Sequence, residues 1–348
     1  MIGRCGIALV GAILALALNL SPVSARELFF YNWSNYFPPE LLKKFEAETG
    51  IKVTLDLYDS NETLLAKLQA GATGYDVIVP SDYMVGVMIR AGLLERIDAK
   101  SLPNFKNVAP IFASPPFDPE RAYTVPYMWG TTGFTYDSAR VPGGKLEESW
   151  KSFFEPPPAL VGQIGVLSDE VEVWNAAAYY LGVAKCSADP GDGKRILEVL
   201  ERQKPAVATY SSGGSIERLA AGEVILHHQW NGAAHRTKER LASAVYVYPK
   251  EGLSLWMDNF AVAKGAPHPE EAKVFIGWML EPRNIAAASN FTGYNNAVPA
   301  AGEFLDPSLR EDPAVVTPKE LEARFRPAED CGDEARALRN RVWTRLKQ

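Results

Sequence analysis

Hydrophobic positions along this chain change their period several times, and each change marks an element. Residues 7–20 are an apolar run of helix formers without a charge. Beyond it, short apolar runs alternate with segments whose apolar residues recur every three or four positions. Residues 28–32 predict a short strand. Pro38 opens a helix through 48, with Leu41, Leu42 and Phe45 on one face and Gly50 as its stop. Residues 51–57 alternate as a second strand, and Asp59-Ser60-Asn61-Glu62 reads as a capping box for a helix over 63–70. Residues 75–80 predict a buried strand, after which Ser81 caps a helix through 91. This alternation predicts an α/β fold with a largely parallel sheet and helices on both faces. Ligands of such sheets sit beyond the carboxyl ends of the strands. Residues 32–36 and 81–83 fall there.

The middle of the chain predicts helices over 171–181, 191–203 and 215–221 and strands over 224–228 and 244–248. A strand at 259–263, a helix at 269–280 and an amphipathic helix at 333–346 follow. Pro-rich pieces at 114–116 and 156–158 are surface connections. There is no internal repeat and no low-complexity tract. About 320 residues after the first apolar run exceed what one core usually supports, so two lobes are expected.

The opening segment predicts export. Arg4 is the only charge before Arg26, and Val23-Ser24-Ala25 fits a small-x-small cleavage site, with cleavage expected after Ala25. The apolar run is shorter than the roughly 20 residues of a membrane span. Cys5 precedes the run and is badly placed for a lipid-modified cysteine, so a free periplasmic protein is expected. Loss of segment 1–25 takes the formal net charge from −6 to −7. A mildly acidic chain without basic stripes argues against a nucleic-acid partner. Cys186 and Cys331 would then remain in an oxidising compartment, as one disulfide or as two free thiols.

Four scattered stretches carry the chemistry: Tyr31-Asn32-Trp33-Ser34-Asn35-Tyr36, Asp169-Glu170-Val171-Glu172, Gln229-Trp230-Asn231-Gly232 and Trp256-Met257-Asp258. None sets a nucleophile beside a base. Ring faces attract ammonium groups and pack methylenes, while carboxylates make charge-assisted hydrogen bonds to them. If the stretches converge, they make a cleft for an amine. Each also has a structural reading. Asp169 and Glu172 fit a helix capping box, Asp258 a solvated strand end, and Trp33, Trp230 and Trp256 core residues whose N–H groups need partners. His227 and His228 are adjacent on a strand and point to opposite faces, a poor chelating pair. Tyr179-Tyr180 sits in an apolar helix and reads as core. Asp169, Glu172 and Asp258 could serve a secreted carboxylate-dependent hydrolase. No Gly-x-Ser-x-Gly motif, phosphate loop or water-positioning group accompanies them.

Taken with Phe45-Glu46-Ala47-Glu48-Thr49-Gly50-Ile51-Lys52-Val53, Asp59-Ser60-Asn61-Glu62, Asp76-Val77-Ile78-Val79-Pro80-Ser81 and Pro126-Tyr127-Met128-Trp129-Gly130-Thr131-Thr132-Gly133, the stretches resemble the periplasmic spermidine/putrescine-binding proteins of bacterial polyamine ABC importers. The resemblance runs from residue 28 nearly to the final helix. It implies the two-lobed periplasmic-binding-protein fold, with each lobe a mostly parallel sheet flanked by helices and the ligand clamped between. One lobe would be 26–131 plus 258–300 and the other 132–257 plus 301–348, which places both cysteines in the second. The resemblance also implies an aromatic box of Trp33, Tyr36, Tyr83, Trp230, Trp256 and Tyr294. Asp169, Glu172 and Asp258 would meet the cationic nitrogens, and Ser34 and Ser81 would add polar contacts. The expected partners are a polyamine and the inner-membrane permease of an ABC importer, with the chain a monomer that uses no cofactor or metal.

Two positions depart from the family. Asn35 stands where an acid commonly follows the Trp-Ser/Thr pair. Ala233 stands where putrescine-type members carry an acid three residues after the tryptophan, so Trp230-Asn231-Gly232 looks more like spermidine-preferring members. A terminal amine deprived of its carboxylate loses a bond of about 1.5–3 kcal/mol. A loose alignment of the C-terminus brings Glu329 near the cleft as a replacement charge. The choice among spermidine, putrescine, agmatine or another small cationic solute stays open.

Overall fold

The computed structural model describes residues 26–71 and 74–348. The predicted leader and its cleavage after Ala25 lie outside the described residues. In chain order the strands are β1 (Arg26–Trp33), β2 (Ile51–Tyr58), β3 (Val77–Ile78), β4 (Thr124–Asp137), β5 (Ile164–Val166), β6 (Val207–Tyr210), β7 (Leu226–Trp230), β8 (Ala244–Val247), β9 (Leu253–Val262), β10 (Asn295–Asn296) and β11 (Phe325–Pro327). The opening alternation is as the sequence predicts. β1 runs parallel to β2 over eight pairs, from Arg26 opposite Ile51 to Trp33 opposite Tyr58, and parallel to β3 on its other side. Successive side chains of a strand point to opposite faces. Accordingly Leu28, Phe30, Val77 and Val79 enter one core with Phe45, Phe260 and Phe275, whereas Tyr31 and Ile78 enter another with Leu64, Met84 and Met88.

The sheet continues in the order β2-β1-β3-β9-β4-β7-β5-β6. Two long antiparallel strands carry it across the molecule. Near its start β4 pairs with the end of β9 (Thr124 with Ala261). Farther on it pairs with the start of β9 (Thr132 with Ser254) and then with β7 from Thr132 to Tyr136. Beyond that junction a third core forms around Phe134, Trp150, Phe153, Ile164, Trp174 and Leu226. The final helix, Gly332–Lys347, closes this core with Leu338, Val342 and Leu346. Cys186 and Cys331 are joined in a disulfide, their Cα atoms 4.8 Å apart. No described helix is long and apolar enough to cross a membrane.

Several element boundaries differ from the sequence expectation. The buried strand at 75–80 shortens to Val77–Ile78, and β9 starts at Leu253 instead of 259, so Asp258 lies inside a strand rather than at its start. β7 runs through Trp230, with His227 and His228 inside it. The helix Pro282–Thr292 was not expected. Ser60 does cap its helix, accepting from the Thr63 N–H at 3.1 Å, but Glu62 closes no reciprocal box and instead accepts from the Tyr83 hydroxyl at 3.3 Å. Ser81 precedes the helix Asp82–Arg90 without capping it through its side chain. Its hydroxyl is committed elsewhere.

Candidate functional site

Asp258 occupies the middle of β9 and is almost fully buried. Its Oδ1 accepts from the Ser81 hydroxyl at 2.5 Å and its Oδ2 from the Tyr36 hydroxyl at 2.7 Å. Both donors are fixed from behind. The Ser81 N–H donates to Asn61 Oδ1 at 3.0 Å, and Asn61 Nδ2 donates in turn to the hydroxyls of Ser81 and Tyr83, each at 3.0 Å. Tyr36 follows a turn in which Asn35 takes a left-handed conformation (φ 56°), one that Asn tolerates better than most residues. The Tyr127 hydroxyl donates to the Tyr36 carbonyl at 2.9 Å. Burial pushes the Asp258 carboxyl up to about 7, against the opposing pull of the two hydroxyls.

Across from it, Asp169 caps the helix Glu170–Leu181. Its Oδ1 accepts from the N–H groups of Val171 at 2.9 Å and Glu172 at 3.1 Å. The capping reading of this pair therefore holds for Asp169. Glu172 does something else: its Oε1 accepts from the Thr132 hydroxyl at 2.8 Å, and its Oε2 is buried without a hydrogen-bond partner. Burial first, then the nearby Asp169 charge, push Glu172 up to about 8, while the Thr132 hydrogen bond works against the rise. The Asp169 carboxyl is raised by burial as well.

Aromatic rings connect the acids. Tyr36 meets Tyr294 edge-on with centroids 5.6 Å apart, and Tyr294 meets Trp256 edge-on at 5.1 Å. The Trp256 indole donates to the Thr132 hydroxyl at 3.1 Å, so one threonine links the indole to Glu172. The Trp33 indole donates to the Val79 carbonyl at 2.9 Å, which orients its ring over Tyr58. Two glycines admit these rings. A Cβ on Gly130 would lie 2.3 Å from Asn231 Oδ1 and 2.8 Å from the Trp256 ring, and one on Gly232 would lie 2.5 Å from the Tyr294 ring.

All twelve residues named from the sequence line one cleft: Trp33, Ser34, Asn35, Tyr36, Ser81, Tyr83, Asp169, Glu172, Trp230, Trp256, Asp258 and Tyr294. Asn35 and Ala233, the two departures, line it too. Glu329 does not; it pairs with Lys185 at 2.9 Å and is mostly exposed, and its neighbour Ala328 takes the lining position. The lining residues that sequence reading missed include Asn61, Asn175, Ser254 and Arg236. Ser254, Trp256 and Asp258 share one face of β9 by the two-residue period, so Ser254 was recoverable once the strand was extended backwards. Arg236 lies three residues after Ala233 on the helix Asn231–Arg240, a spacing that puts both on one face.

Among the described residues no cluster of three or more His, Cys, Asp and Glu is arranged to hold a metal. His227 and His228 are buried on opposite faces of β7, and burial pushes them down to about 4 and about 3. They are neutral core residues. Tyr179 and Tyr180 pack against the third core.

Residues 40–317 match the family described as bacterial extracellular solute-binding protein. The chain is 34% identical to the putrescine/agmatine-binding protein of Pseudomonas aeruginosa, covering 99% of this chain and 98% of that one. It is 34% identical to the spermidine/putrescine-binding periplasmic protein of Salmonella typhimurium, covering 96% of each. Among solved structures, an ABC transporter protein from Listeria monocytogenes superposes with a TM-score of 0.88 at 30% identity, over 93% of this chain and 99% of that one.

Proposed function

Because this chain belongs to the bacterial extracellular solute-binding proteins, which are binding components of ABC transporters and not enzymes, we propose that it is a periplasmic receptor for a polyamine of the spermidine or putrescine class. It would deliver that ligand to an inner-membrane ABC permease. One observation carries the reading. Three buried carboxylates, those of Asp169, Glu172 and Asp258, face a single cleft walled by tryptophan and tyrosine rings. Rings of that kind pack methylenes and attract ammonium groups, and buried acids with no salt-bridge partner call for a cation.

The proposed division is a lobe of 26–131 plus 258–300 and a second of 132–257 plus 301–348, with β4 and β9 as the crossing strands and the chain acting as a monomer. In the empty closed cleft the three acids lose hydration, and charging them together would set like charges against one another. A polycation neutralises them, and closure strengthens each pair as water leaves. The ligand therefore shifts the population toward the closed form by its differential affinity. The permease would recognise that form.

The test is a tryptophan-fluorescence titration of the mature protein with spermidine, putrescine, cadaverine, agmatine and arginine, backed by calorimetry and recovery of the ligand. Micromolar or tighter binding of one amine, returned unchanged, is expected. Silence across the panel would move the ligand outside the simple amines, and consumption of the ligand would restore the hydrolase reading. Asn35 and Ala233 favour a second reading within the same class: a small cationic solute other than an unmodified polyamine.

A further inference from the structure

Among the described residues, Arg236 is the only cation that lines the cleft. It makes no ion pair and no hydrogen bond among those residues, and its guanidinium lies over the Phe291 ring, 5.2 Å from the centroid. The cleft-lining acid on the neighbouring helix is already taken, since Glu217 pairs with Arg240 at 3.1 Å. The Arg236 charge is felt at the Tyr294 hydroxyl, where it opposes the upward push of burial. Tyr294 packs on Tyr36, and Tyr36 donates to Asp258. The cleft thus runs from a buried acid, through two tyrosines, to an unpaired cation.

Such a gradient is wrong for a plain polycation. An ammonium brought near Arg236 meets like charge in a partly desolvated space, where repulsion is several times stronger than in water. Neither Asn35 nor Ala233, both on the lining, supplies an acid to offset it. An oxygen acceptor at the same place gains charge-assisted hydrogen bonds from the planar guanidinium. Specificity of this kind is set as much by repulsion of the wrong ligand as by attraction of the right one.

We propose that Arg236 makes the cleft selective for an amine whose far end carries an oxygen acceptor, a carboxylate or an acyl carbonyl, while its ammonium is held by Asp258 and the acids opposite. The inference rests on the amine-binding reading above, in its second form of a small cationic solute other than an unmodified polyamine, and names that solute's class.

Calorimetry with putrescine, monoacetylated putrescine, aminohexanoate and spermidine tests it on the wild type, Arg236→Gln and Arg236→Lys. The wild type is expected to bind an oxygen-bearing amine about tenfold or more tighter than putrescine. Monoacetylated putrescine and aminohexanoate separate the carbonyl from the carboxylate. Arg236→Gln is expected to lose that preference and to gain affinity for putrescine and spermidine, and Arg236→Lys to retain the preference in weaker form. A wild type that prefers unmodified polyamines overturns the inference and leaves the amine reading standing. So does an Arg236→Gln variant that melts like the wild type and keeps the wild-type ranking. A wild type that binds none of the four overturns both.

Discussion

Two buried carboxylates face the same cleft and are treated in opposite ways. Asp258 has both oxygens satisfied by neutral hydroxyls, at 2.7 Å from Tyr36 and 2.5 Å from Ser81. Glu172 has one oxygen on Thr132 and a second that is buried with no partner. Burial lifts both, Asp258 to about 7 and Glu172 to about 8. The difference separates two jobs. Asp258 is held in place before any ligand arrives, because its hydroxyls fix the carboxylate plane and are themselves fixed by Asn61 and Tyr127. Glu172 carries an unmet demand that a bound cation answers, since a buried acceptor without a donor costs about 1–3 kcal/mol.

The largest expected effect follows from removing the fixed acid. Asp258→Asn keeps the shape but not the charge, and affinity for the amine should fall roughly 30-fold or more, the worth of about 2 kcal/mol for a charged contact. The ligand-free protein should melt at the same temperature or higher, because a buried carboxyl whose pKa is raised gains nothing from its charge in the empty cleft. Calorimetry and thermal unfolding check both halves. Unchanged affinity would take Asp258 out of the site.

Glu172 sharpens the contrast through pH. Its raised pKa means that the empty cleft holds it neutral below about 8, and Asp258 neutral below about 7. A bound ammonium favours the charged carboxylate and draws these values down, so binding releases protons. For the empty closed form the sign is opposite to that of a salt-bridged acid: its stability is fully present below the unfolded carboxylate range. It is lost as pH rises through about 7 to 8. Amine affinity should therefore improve across that window and level off above it. Glu172→Gln should weaken binding by about tenfold and flatten the dependence near 8 while leaving the part near 7. Calorimetry in buffers of different ionisation enthalpy counts the protons. A wild-type affinity that does not change with pH would contradict the assignment.

These two acids also show what the chain made legible. Asp169 and Glu172 were visible as a pair because their spacing opens a helix. Their division into a cap and a cleft acid was not, since it depends on Thr132 from a strand 40 residues away. Asp258 reads as a strand start because the apolar run that marks the strand begins only at Phe260. β9 extends back to Leu253, and Ser254, Trp256 and Asp258 are its cleft-facing residues, so function blurs the hydrophobic signal there. Ser81 looked like a helix cap because that is the local use of such a serine. Its real acceptor lies 177 residues on. Nothing in the sequence around Arg236 distinguishes a cleft-lining arginine from a solvated one. The opening strand–helix–strand of residues 26–58, by contrast, is local, and its expected bounds lie within two residues of the observed ones.

Asn35 offers a smaller test of the ligand's far end. It lines the cleft, is exposed, and sits in a left-handed turn that Asp tolerates as well. Asn35→Asp adds a charge without changing the turn. Binding of putrescine should strengthen by a few-fold, less than a buried pair would give because the position is wet, where ion pairs are worth about 0.2–1 kcal/mol. The same change should lower the preference for an oxygen-bearing amine. A fluorescence titration that shows no gain for any diamine would mean that Asn35 does not face a ligand end.

The smallest effect is expected outside the cleft. Arg90, at the end of the helix Asp82–Arg90, donates to Asp330, and Arg336 on the final helix donates to the same carboxylate at 2.6 Å. Asp330 precedes Cys331, whose disulfide to Cys186 tethers this segment to the turn after the helix Glu170–Leu181. In the proposed division Arg90 and Asp330 belong to opposite lobes, so opening of the cleft would break their contact and leave Arg336–Asp330 intact. The Arg90 side chain is 59% exposed, and a pair that wet contributes about 0.2–1 kcal/mol and is screened by salt. Arg90→Gln should therefore weaken ligand binding by about two- to fivefold at low ionic strength, mainly through faster release. The deficit should vanish in high salt. Asp258→Asn and Glu172→Gln lie behind the closed lobes and should keep most of their loss there, because buried pairs are screened much less. A deficit in Arg90→Gln that persists in high salt would assign Arg90 a packing role, and no deficit at either salt would mean that closure does not use this contact.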